Sequence, residues 1–286
     1  MDSLKTLENL IKSKKTIALL APSFVANFKY PQLIYTLRAI GFDKVVELTY
    51  GAKMVNINYY KYLRNNLTKT DKTYIPSPCP TLVQLIRTKF PHLLENLVPI
   101  HSPMGAMALI CNKHFPGHSK IFIGPCFTKK IEAQEIKTVD LVITFVELAQ
   151  YIEKTKPVVL KKHCYSFDKF YNDYTKIYPI SGGLSATLHH SKILKDEDIF
   201  IADGLKTILP VLSSFVNGRY KNYRFLDILA CDGGCIGGPG MIDNIPIPER
   251  RKKVEKYCKW AKSSENDCGR TGLKIHSKGL DFKRKF

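Results

Sequence analysis

Short apolar runs alternate with turns and helical patterns along most of the chain. Apolar, often β-branched runs predict strands over residues 16–21, 44–49, 73–77, 120–124, 139–145 and 224–230. Helical spacing of apolar residues predicts helices over residues 30–40, 55–67, 81–90, 147–153 and 249–261. A strand followed by a turn and a helix, repeated in this way, is typical of α/β proteins with mainly parallel sheets flanked by helices.

The composition agrees with a folded, water-soluble protein. The chain has 286 residues, of which 44% are hydrophobic and 24% are charged, so it is long enough for one large core or two smaller ones. Its first 15 residues carry acidic side chains and no apolar signal-peptide region, and no apolar run approaches the roughly 18 residues of a membrane span. We therefore expect a cytoplasmic protein that does not associate with membranes.

The formal net charge of +19 raises the question of nucleic-acid binding, because clustered Lys and Arg side chains release counterions from phosphates. The basic residues are spread along the chain, however, and the densest runs, 250–253 and 283–285, carry no nucleic-acid-binding motif. We attribute the charge to a lysine-rich surface and expect no nucleic-acid partner. The same charge would also steer an acidic protein partner, such as a small electron carrier.

Four of the eight cysteines are distinguished by their positions. Cys79, Cys126 and Cys231 each follow a predicted strand, and ligands of open α/β sheets gather beyond the carboxyl ends of the strands. Cys235 lies nearby, in the same glycine-rich turn as Cys231. Eight cysteines are too few for a disulfide scaffold in a chain of this length, so thiols or metal ligands are expected. The sequence therefore predicts a metal centre with these four cysteines as its ligands.

Glycines surround the last two of these cysteines, in the run 231–240. Gly233 and Gly234 would let backbone N–H groups approach sulfur closely, and hydrogen bonds to sulfur help to set the potential of an iron–sulfur cluster. Four thiolates suit zinc as well as a [4Fe-4S] cluster. Structural zinc sites usually draw their ligands as two close pairs, whereas this chain supplies two single cysteines and one pair. Each cysteine, considered by itself, is also compatible with the role of a small buried core residue instead of a metal ligand.

Three motifs around these cysteines resemble the catalytic, H-cluster domain of the large subunit of [FeFe]-hydrogenases. They are the segments 77–80 (SPCP), 124–133 (GPCFTKKIEA) and 229–238 (LACDGGCIGG). Further similar stretches lie at 101–104, 139–148, 181–183 and 202–205. The resemblance covers most of the chain and is closest to the sensory branches of the family. It implies a domain over 1–262 with two α/β lobes, about 1–118 and 119–262, a cofactor in the cleft between them, and a basic, loosely ordered tail over 263–286.

By this resemblance, the four cysteines bind a [4Fe-4S] cluster, and Cys235 shares its thiolate with a two-iron subcluster that carries CO and CN ligands. Lys129 matches the lysine that donates a hydrogen bond to a cyanide ligand, a role that suits an ammonium group in a dry pocket. Glu132 lies three residues further on the same helical face, where we expect an ion pair with Lys129. An ordinary solvated helical turn is the alternative. Ser102 is the third expected catalytic residue.

Several positions depart from the pattern of the hydrogen-evolving members. Pro78 stands where those members have a second cysteine that relays protons, and proline has no exchangeable proton. Gly124 and Leu229 occupy the positions of methionines that pack around the two-iron site. The region 51–67 has asparagines and a tyrosine where acidic relay residues are expected. No cysteine precedes Cys79, so the ferredoxin-like cluster motifs that are common in the family are missing from this sequence.

Two functions follow from these observations. The first is a hydrogenase-like iron–sulfur protein that converts H2 slowly or senses H2 or redox state, which would make it a ferredoxin-dependent iron hydrogenase with an impaired proton relay. The second is a non-catalytic [4Fe-4S] protein of the same fold that serves in electron transfer, as a scaffold or in cluster assembly. Both functions require an electron carrier such as a ferredoxin or a cluster-bearing partner protein, and the first also requires maturation proteins.

Of the other cysteines, we expect Cys111 in the core, whereas Cys258 and Cys268 match no common metal spacing.

Overall fold

Four parallel strands form the larger of two sheets. In the computed structural model, which describes residues 3–159, 166–170, 172, 174–188, 193–215, 220, 222–243, 245–263 and 272–286, these strands are β1 (Thr16–Leu20), β2 (Lys44–Glu47), β3 (Ser119–Gly124) and β4 (Leu141–Thr144). Their order is β2-β1-β3-β4, and all pairings are parallel. Every residue of β1 is buried, as expected for a central strand covered on both faces. The carboxyl ends of the four strands therefore lie at one edge of the sheet.

Two further parallel strands, β5 (Ile199–Asp203) and β6 (Phe225–Leu229), form the smaller sheet. Single parallel bridges at Tyr74 and Ile75 extend it. The third predicted strand is thus reduced to two bridged residues, because Pro76 has no N–H group with which to continue the ladder. The other five predicted strands are confirmed, with ends that differ by at most two residues.

Helices cover the faces of both sheets, and all five predicted helices are confirmed. The helix predicted over 55–67 begins six residues earlier than predicted. This start was missed because Gly51 has no side chain and the residues of its turn show no apolar spacing. A Cβ atom at Gly51 would lie 2.6 Å from the carbonyl oxygen of Pro103, so glycine allows two helices to approach closely there. The α-helices are α1 (Ser3–Ser13), α2 (Gln32–Ile40), α3 (Thr49–Asn66), α4 (Pro80–Lys89), α5 (Pro103–His114), α6 (Lys129–Ile136), α7 (Phe145–Thr155), α8 (Gly183–Thr187), α9 (Leu205–Phe215) and α10 (Ile247–Ser263).

The sheets do not divide the chain at the expected boundary near residue 118. β3 and β4 follow that position and belong to the same sheet as the first two strands, whereas Tyr74 precedes it and bridges to β6 of the smaller sheet. Parallel strands are joined by crossover connections, so neighbours in a sheet need not be neighbours in the sequence. The two sheets therefore do not coincide with the expected lobes of 1–118 and 119–262, and that division of the chain stays a prediction. The α/β architecture with mainly parallel sheets between helices is confirmed.

Residues 272–286 pack onto the body of the protein, contrary to the expected loosely ordered tail. Phe282 is only 4% exposed, and its carbonyl oxygen accepts a hydrogen bond from His101 N at 2.8 Å. Lys283 forms an antiparallel bridge, and burial alternates with exposure from Asp281 onwards, as in an edge strand. The basic composition concealed this alternation. The first part of the expected tail, 264–271, lies outside the described residues.

Two hydrophobic clusters follow the two sheets. The larger cluster is built on β1 and β3 together with residues of α3 and α5, and the smaller one on β6 together with α4 and α9. Phe282 belongs to the larger cluster, so the last described segment contributes to the core. Among the residues that the structure describes, no helix is both long and apolar enough to cross a membrane.

Replacement of Phe282 by Ala tests whether residues 272–286 stabilise the fold. We expect Phe282→Ala to lower the free energy of unfolding by about 3–5 kcal/mol, because it removes a buried aromatic side chain and leaves a cavity. Urea unfolding of the metal-free protein measures the change. Lys285→Ala, at an exposed position in the same segment, is the control and should leave the free energy of unfolding within about 0.5 kcal/mol of the original value. Equal stabilities of the two variants would show that the segment does not contribute to the core.

Candidate metal centre

A cavity lies where the carboxyl ends of strands from both sheets meet. It encloses 990 Å³ of empty space, including its open mouth. Residues that directly follow β1, β2, β3 and β6 line it, together with the first residues of α4. Its lining includes the cysteines selected from the sequence and the expected catalytic lysine: Cys79, Cys126, Cys231, Cys235 and Lys129. One cofactor in this cavity would therefore be within reach of all four thiols.

Strand ends position two of these thiols, and the start of a helix positions a third. Cys126 and Cys231 lie two residues beyond the ends of β3 and β6. Cys79 is the N-cap residue of α4, which begins with a proline. The backbone N–H groups of Leu82 and Ala230 form hydrogen bonds to the Cys79 sulfur. These N–H groups are preorganised donors, which would stabilise a thiolate.

Cys235 begins a short 3₁₀ turn that follows two glycines with positive φ angles. Gly233 has φ of 73° and Gly234 has φ of 86°, a region that other residues rarely adopt. A Cβ atom at Gly234 would also lie 2.8 Å from the carbonyl oxygen of Pro179. The N–H groups of the two glycines donate to the Asp203 carboxylate at 2.7 Å and to a backbone carbonyl at 3.0 Å. These two N–H groups are therefore engaged away from sulfur, and the glycines shape the turn that carries Cys235. The expected role of Gly233 and Gly234 in binding a cofactor stays a prediction.

Burial and repulsion from neighbouring thiols raise the pKa values of Cys79, Cys231 and Cys235. Burial is the main cause that raises the pKa of Cys231 to about 12, and charge on Cys79 and Cys126 adds to it. Burial also raises the pKa of Cys79 and of Cys235, while the Lys129 ammonium opposes both increases. Because each thiol influences the others, the four are close enough to interact electrostatically. Their conversion to thiolates would be compensated by bound metal cations.

The four cysteines line one cavity, and two kinds of metal site remain to be compared. Zn–S bonds are about 2.3 Å long, so the sulfurs of a tetrahedral zinc site lie about 3.8 Å apart. Within the described ranges, no group of three or more His, Cys, Asp or Glu side chains is arranged to hold one metal ion. Four thiols around a larger cavity suit a cluster of several iron atoms.

Lys129 is held at the wall of the cavity by two hydrogen bonds. Its Nζ atom donates to Glu132 Oε2 at 2.5 Å and to the carbonyl oxygen of Pro78 at 3.1 Å. The ion pair expected between Lys129 and Glu132 is therefore present. Lys129 is 9% exposed and Glu132 is 1% exposed, so the alternative of a solvated helical turn is wrong. The second carboxylate oxygen of Glu132 accepts a hydrogen bond from Arg284 at 2.8 Å.

Ser102 has a capping role rather than a place in the cavity lining. It is fully buried, and its Oγ accepts a hydrogen bond from Gly105 N at 3.4 Å at the start of α5. Serine at this position is a preferred N-cap. The next two residues, Pro103 and Met104, line the cavity instead. Ser102 itself is not part of the lining, and its catalytic role stays a prediction.

The positions that depart from the hydrogen-evolving pattern make the cavity wall apolar. Pro78 and Leu229 both line the cavity. Gly124 is covered by Phe122, since a Cβ atom at Gly124 would lie 2.4 Å from the Phe122 ring, and this ring itself lines the cavity. An aromatic ring therefore fills the space in which the resemblance implies a methionine. The wall offers no thiol proton donor at Pro78.

Two polar side chains in the cavity were missed by sequence reasoning. The hydroxyl of Tyr178 is buried and has no hydrogen-bond partner within the described part of the chain. Burial raises the pKa of Tyr178 well above its usual value, so it remains a protonated donor. Asp227 is 2% exposed, and its carboxylate accepts hydrogen bonds from Ser185 N at 3.0 Å and Oγ at 2.7 Å. An acidic residue within an apolar strand was a signal for Asp227, whereas Tyr178 resembled an ordinary core aromatic residue.

The other residues that the sequence singled out lie away from the cavity lining. Tyr59 is fully buried, and Asn56 donates to a backbone carbonyl of α8 at 2.9 Å. Cys111 is fully buried in the core, as predicted, and Cys258 is buried in α10. Cys268 lies outside the described residues. The region expected to hold acidic relay groups therefore stabilises the packing of helices.

Comparisons with known proteins define the class. The family model described as "Iron only hydrogenase large subunit, C-terminal domain" matches residues 14–239. The chain belongs to this family, and membership implies an iron–sulfur cofactor. It is 25% identical to iron hydrogenase 1 of Clostridium pasteurianum, over 82% of this chain and 51% of the relative. It is 24% identical to a probable cytosolic Fe-S cluster assembly factor of Drosophila ananassae, over 73% of this chain and 56% of the relative. The chain thus spans about half the length of these curated relatives.

The fold of this chain is likewise similar to that of solved hydrogenase structures. A solved structure of [FeFe]-hydrogenase HydA1 from Chlamydomonas reinhardtii superimposes with a TM-score of 0.70 at 16% sequence identity. The match covers 90% of this chain and 88% of that chain. At this low identity the similarity establishes the H-cluster domain fold and does not extend to individual site residues.

The residues of the cavity fit an iron–sulfur group. Four thiols line one space, an ammonium group opposes the charge that they would carry as thiolates, and backbone N–H groups already point at one sulfur. The buried hydroxyl of Tyr178 also lacks a partner that a group bound in the cavity would supply. These features are costly in an empty apolar cavity and are stabilised when a charged, hydrogen-bond-accepting group occupies it.

A substitution at Glu132 tests the buried ion-pair arrangement beside the cavity. We expect Glu132→Gln to lower the free energy of unfolding by about 3–5 kcal/mol, because it leaves the buried Lys129 ammonium without its carboxylate and Arg284 with only the Glu135 carboxylate. The control is Glu135→Gln, which alters a carboxylate that also accepts a hydrogen bond from Arg284 but is 28% exposed. Its expected cost is about 1 kcal/mol or less. Chemical denaturation of the metal-free proteins measures both, and equal costs would contradict the importance of burial.

Proposed function

We propose that this chain is a hydrogenase-like iron–sulfur protein that binds a [4Fe-4S] cluster through Cys79, Cys126, Cys231 and Cys235. The single observation that supports this proposal is that all four thiols line one cavity together with a buried lysine. When bound, the cluster would supply one-electron redox chemistry, and a two-iron subcluster with CO and CN ligands next to Cys235 would supply a site for H2. On this proposal the chain converts H2 slowly or senses H2 or redox state.

The residues around the cavity would bind and shield this group. The N–H groups that donate to Cys79 favour its thiolate form, and the Lys129 ammonium opposes the accumulation of negative charge. Phe122 and Leu229 provide apolar surface that excludes water from the cavity. A dry environment strengthens the remaining electrostatic interactions and protects bound sulfur ligands from competing reactions.

Proton transfer is the step that the wall of the cavity disfavours. Pro78 lines the cavity without an exchangeable proton, and its carbonyl oxygen is already engaged by Lys129. Tyr178 and Asp227 are polar groups in the lining. Burial raises the pKa of Tyr178 well above its usual value, so its hydroxyl keeps its proton, and the Asp227 carboxylate is already engaged by Ser185. We therefore propose slow turnover or sensing rather than rapid H2 evolution.

A second candidate function is that of a non-catalytic cluster protein of the same fold. It is favoured by Pro78 and by the relatives that are described as cytosolic Fe-S cluster assembly factors. In this function the chain would hold only the [4Fe-4S] cluster, for electron transfer, as a scaffold or in cluster assembly. Both functions involve a partner that carries electrons or clusters, such as a ferredoxin, and a cytoplasmic location suits both.

Single cysteine substitutions test the proposed ligands. We expect Cys231→Ser to weaken iron retention by at least about 10–100-fold after anaerobic reconstitution with ferrous iron and sulfide, because loss of a ligand costs at least as much as loss of a supporting contact. Iron analysis and the visible absorption of the cluster measure this change. Cys111→Ser is the matched control, since this cysteine is fully buried away from the cavity and should retain the original iron content. Equal iron binding by both variants would show that the ligand assignment is wrong.

Infrared spectroscopy distinguishes the two candidate functions. The protein is reconstituted with iron and sulfide, with or without a synthetic two-iron precursor that carries CO and CN ligands. We expect stretching bands of metal-bound CO and CN in the sample that received the precursor. A cluster absorption spectrum without these bands would instead support the non-catalytic function. In either case H2 evolution should be weak, and turnover as fast as that of efficient hydrogenases would contradict the role assigned to Pro78.

A further inference from the structure

Arg284 lies at the centre of a buried chain of ion pairs that ends at the cavity. Its two terminal nitrogens donate to different carboxylates, Glu132 at 2.8 Å and Glu135 at 2.7 Å. The Arg284 side chain is only 4% exposed. A guanidinium group is suited to this arrangement, because its planar fork directs several N–H groups at fixed angles.

Glu132 divides its two oxygens between two cations. Oε1 accepts the hydrogen bond from Arg284, and Oε2 accepts the hydrogen bond from Lys129 at 2.5 Å. Lys129 makes one further hydrogen bond, to the carbonyl oxygen of Pro78. An ammonium group has three N–H donors, so one proton of Lys129 has no acceptor among the described residues and remains available to a group in the cavity.

The sharing of the two Glu132 carboxylate oxygens between Arg284 and Lys129 controls how much of the Lys129 charge is neutralised. Both residues are almost fully buried, so electrostatic interactions between them are only weakly screened. Arg284 draws one carboxylate oxygen away from Lys129 and supplies a second positive charge to the same carboxylate. Without Arg284, Glu132 would be free to turn both oxygens towards Lys129 and to draw its ammonium group back from the cavity.

The backbone holds Arg284 independently of these ion pairs. Its N–H group donates to the carbonyl oxygen of Pro99 at 3.0 Å, and the preceding residue, Lys283, forms the antiparallel bridge to the main body. Its guanidinium carbon lies 4.9 Å from the centre of the Phe286 ring, within the range of a cation–π contact. The guanidinium group is therefore fixed before any cofactor binds. This preorganisation distinguishes it from a flexible surface arginine.

We propose that Arg284 is a positioning residue for Lys129: it holds Glu132 so that Lys129 presents its charge and its free N–H group to an electron-rich group beside the cysteines. The inference rests on the proposed function, because it assumes that an iron–sulfur group occupies the cavity. It assigns a role at the site to residues 272–286, a segment without any metal-binding motif.

A double-mutant cycle on the reduction potential of the cluster tests this role. The full chain and its variants are reconstituted anaerobically with ferrous iron and sulfide, and the potential is measured by redox titration followed by electron paramagnetic resonance. Arg284→Lys keeps the positive charge but removes the fork that spans both carboxylates. We expect it to shift the potential to more negative values, because a Lys129 ammonium drawn towards Glu132 stabilises the reduced cluster less.

The second arm of the cycle repeats this substitution in a chain that carries Lys129→Met. There we expect Arg284→Lys to leave the potential unchanged, because the residue through which it acts has been removed. An equal shift in both backgrounds would overturn the proposal, since Arg284 would then act without Lys129. If Arg284→Lys causes no shift, Arg284→Gln is carried through the same cycle. Absence of a Lys129-dependent shift in both variants would also overturn the proposal.

Arg87→Lys is the matched control. Arg87 contacts the same Glu135 carboxylate and the same Phe286 ring but not Glu132, so its substitution should not change the potential. A shift equal to that of Arg284→Lys would overturn the specific role of Arg284. Failure of the original chain to retain iron would refute the proposed function and, with it, this inference. A stable cluster whose potential changes additively would refute only the inference.

Discussion

Convergence of four partly buried cysteines on one apolar cavity is the constraint on which the rest of the site depends. Buried thiols that repel one another resist ionisation, and the pKa of Cys231 is raised to about 12 by burial and by its neighbours. The fold opposes this cost with backbone N–H groups at Cys79 and with the ammonium group of Lys129. A bound iron–sulfur group would complete the compensation, because its metal ions would stabilise the thiolate form of the cysteines.

The same constraint explains the ion pairs that lie behind the cavity. A lysine buried beside thiols is stable only if its charge is paired, and full pairing would remove its influence on the cavity. Glu132 supports Lys129 with one oxygen and Arg284 with the other, so the pairing is shared. Pro78 contributes in two opposite ways: its carbonyl oxygen stabilises Lys129, whereas its ring cannot transfer protons. The site is therefore better suited to holding and tuning a redox group than to rapid proton chemistry.

Local patterns predicted the regular elements well, and the exceptions have identifiable causes. The strand predicted before Cys79 is shortened because Pro76 interrupts the ladder. The start of α3 was missed because Gly51 fits close to a neighbouring helix, a contact that lies more than 50 residues away in sequence. The larger sheet crosses the boundary expected near residue 118, because parallel strands are joined by crossover connections and need not pair in chain order.

The sequence by itself determined the α/β class, the family and the positions of the cysteines, because strands, turns and spacing are local properties of the chain. Only the tertiary structure decided which side chains share the cavity. It placed Tyr178 and Asp227 in the lining, assigned Ser102 to a helix cap and joined Arg284 to Glu132 across 152 positions. Such contacts depend on long-range packing and on the pairing of buried charges, and neither leaves a periodic pattern in the sequence.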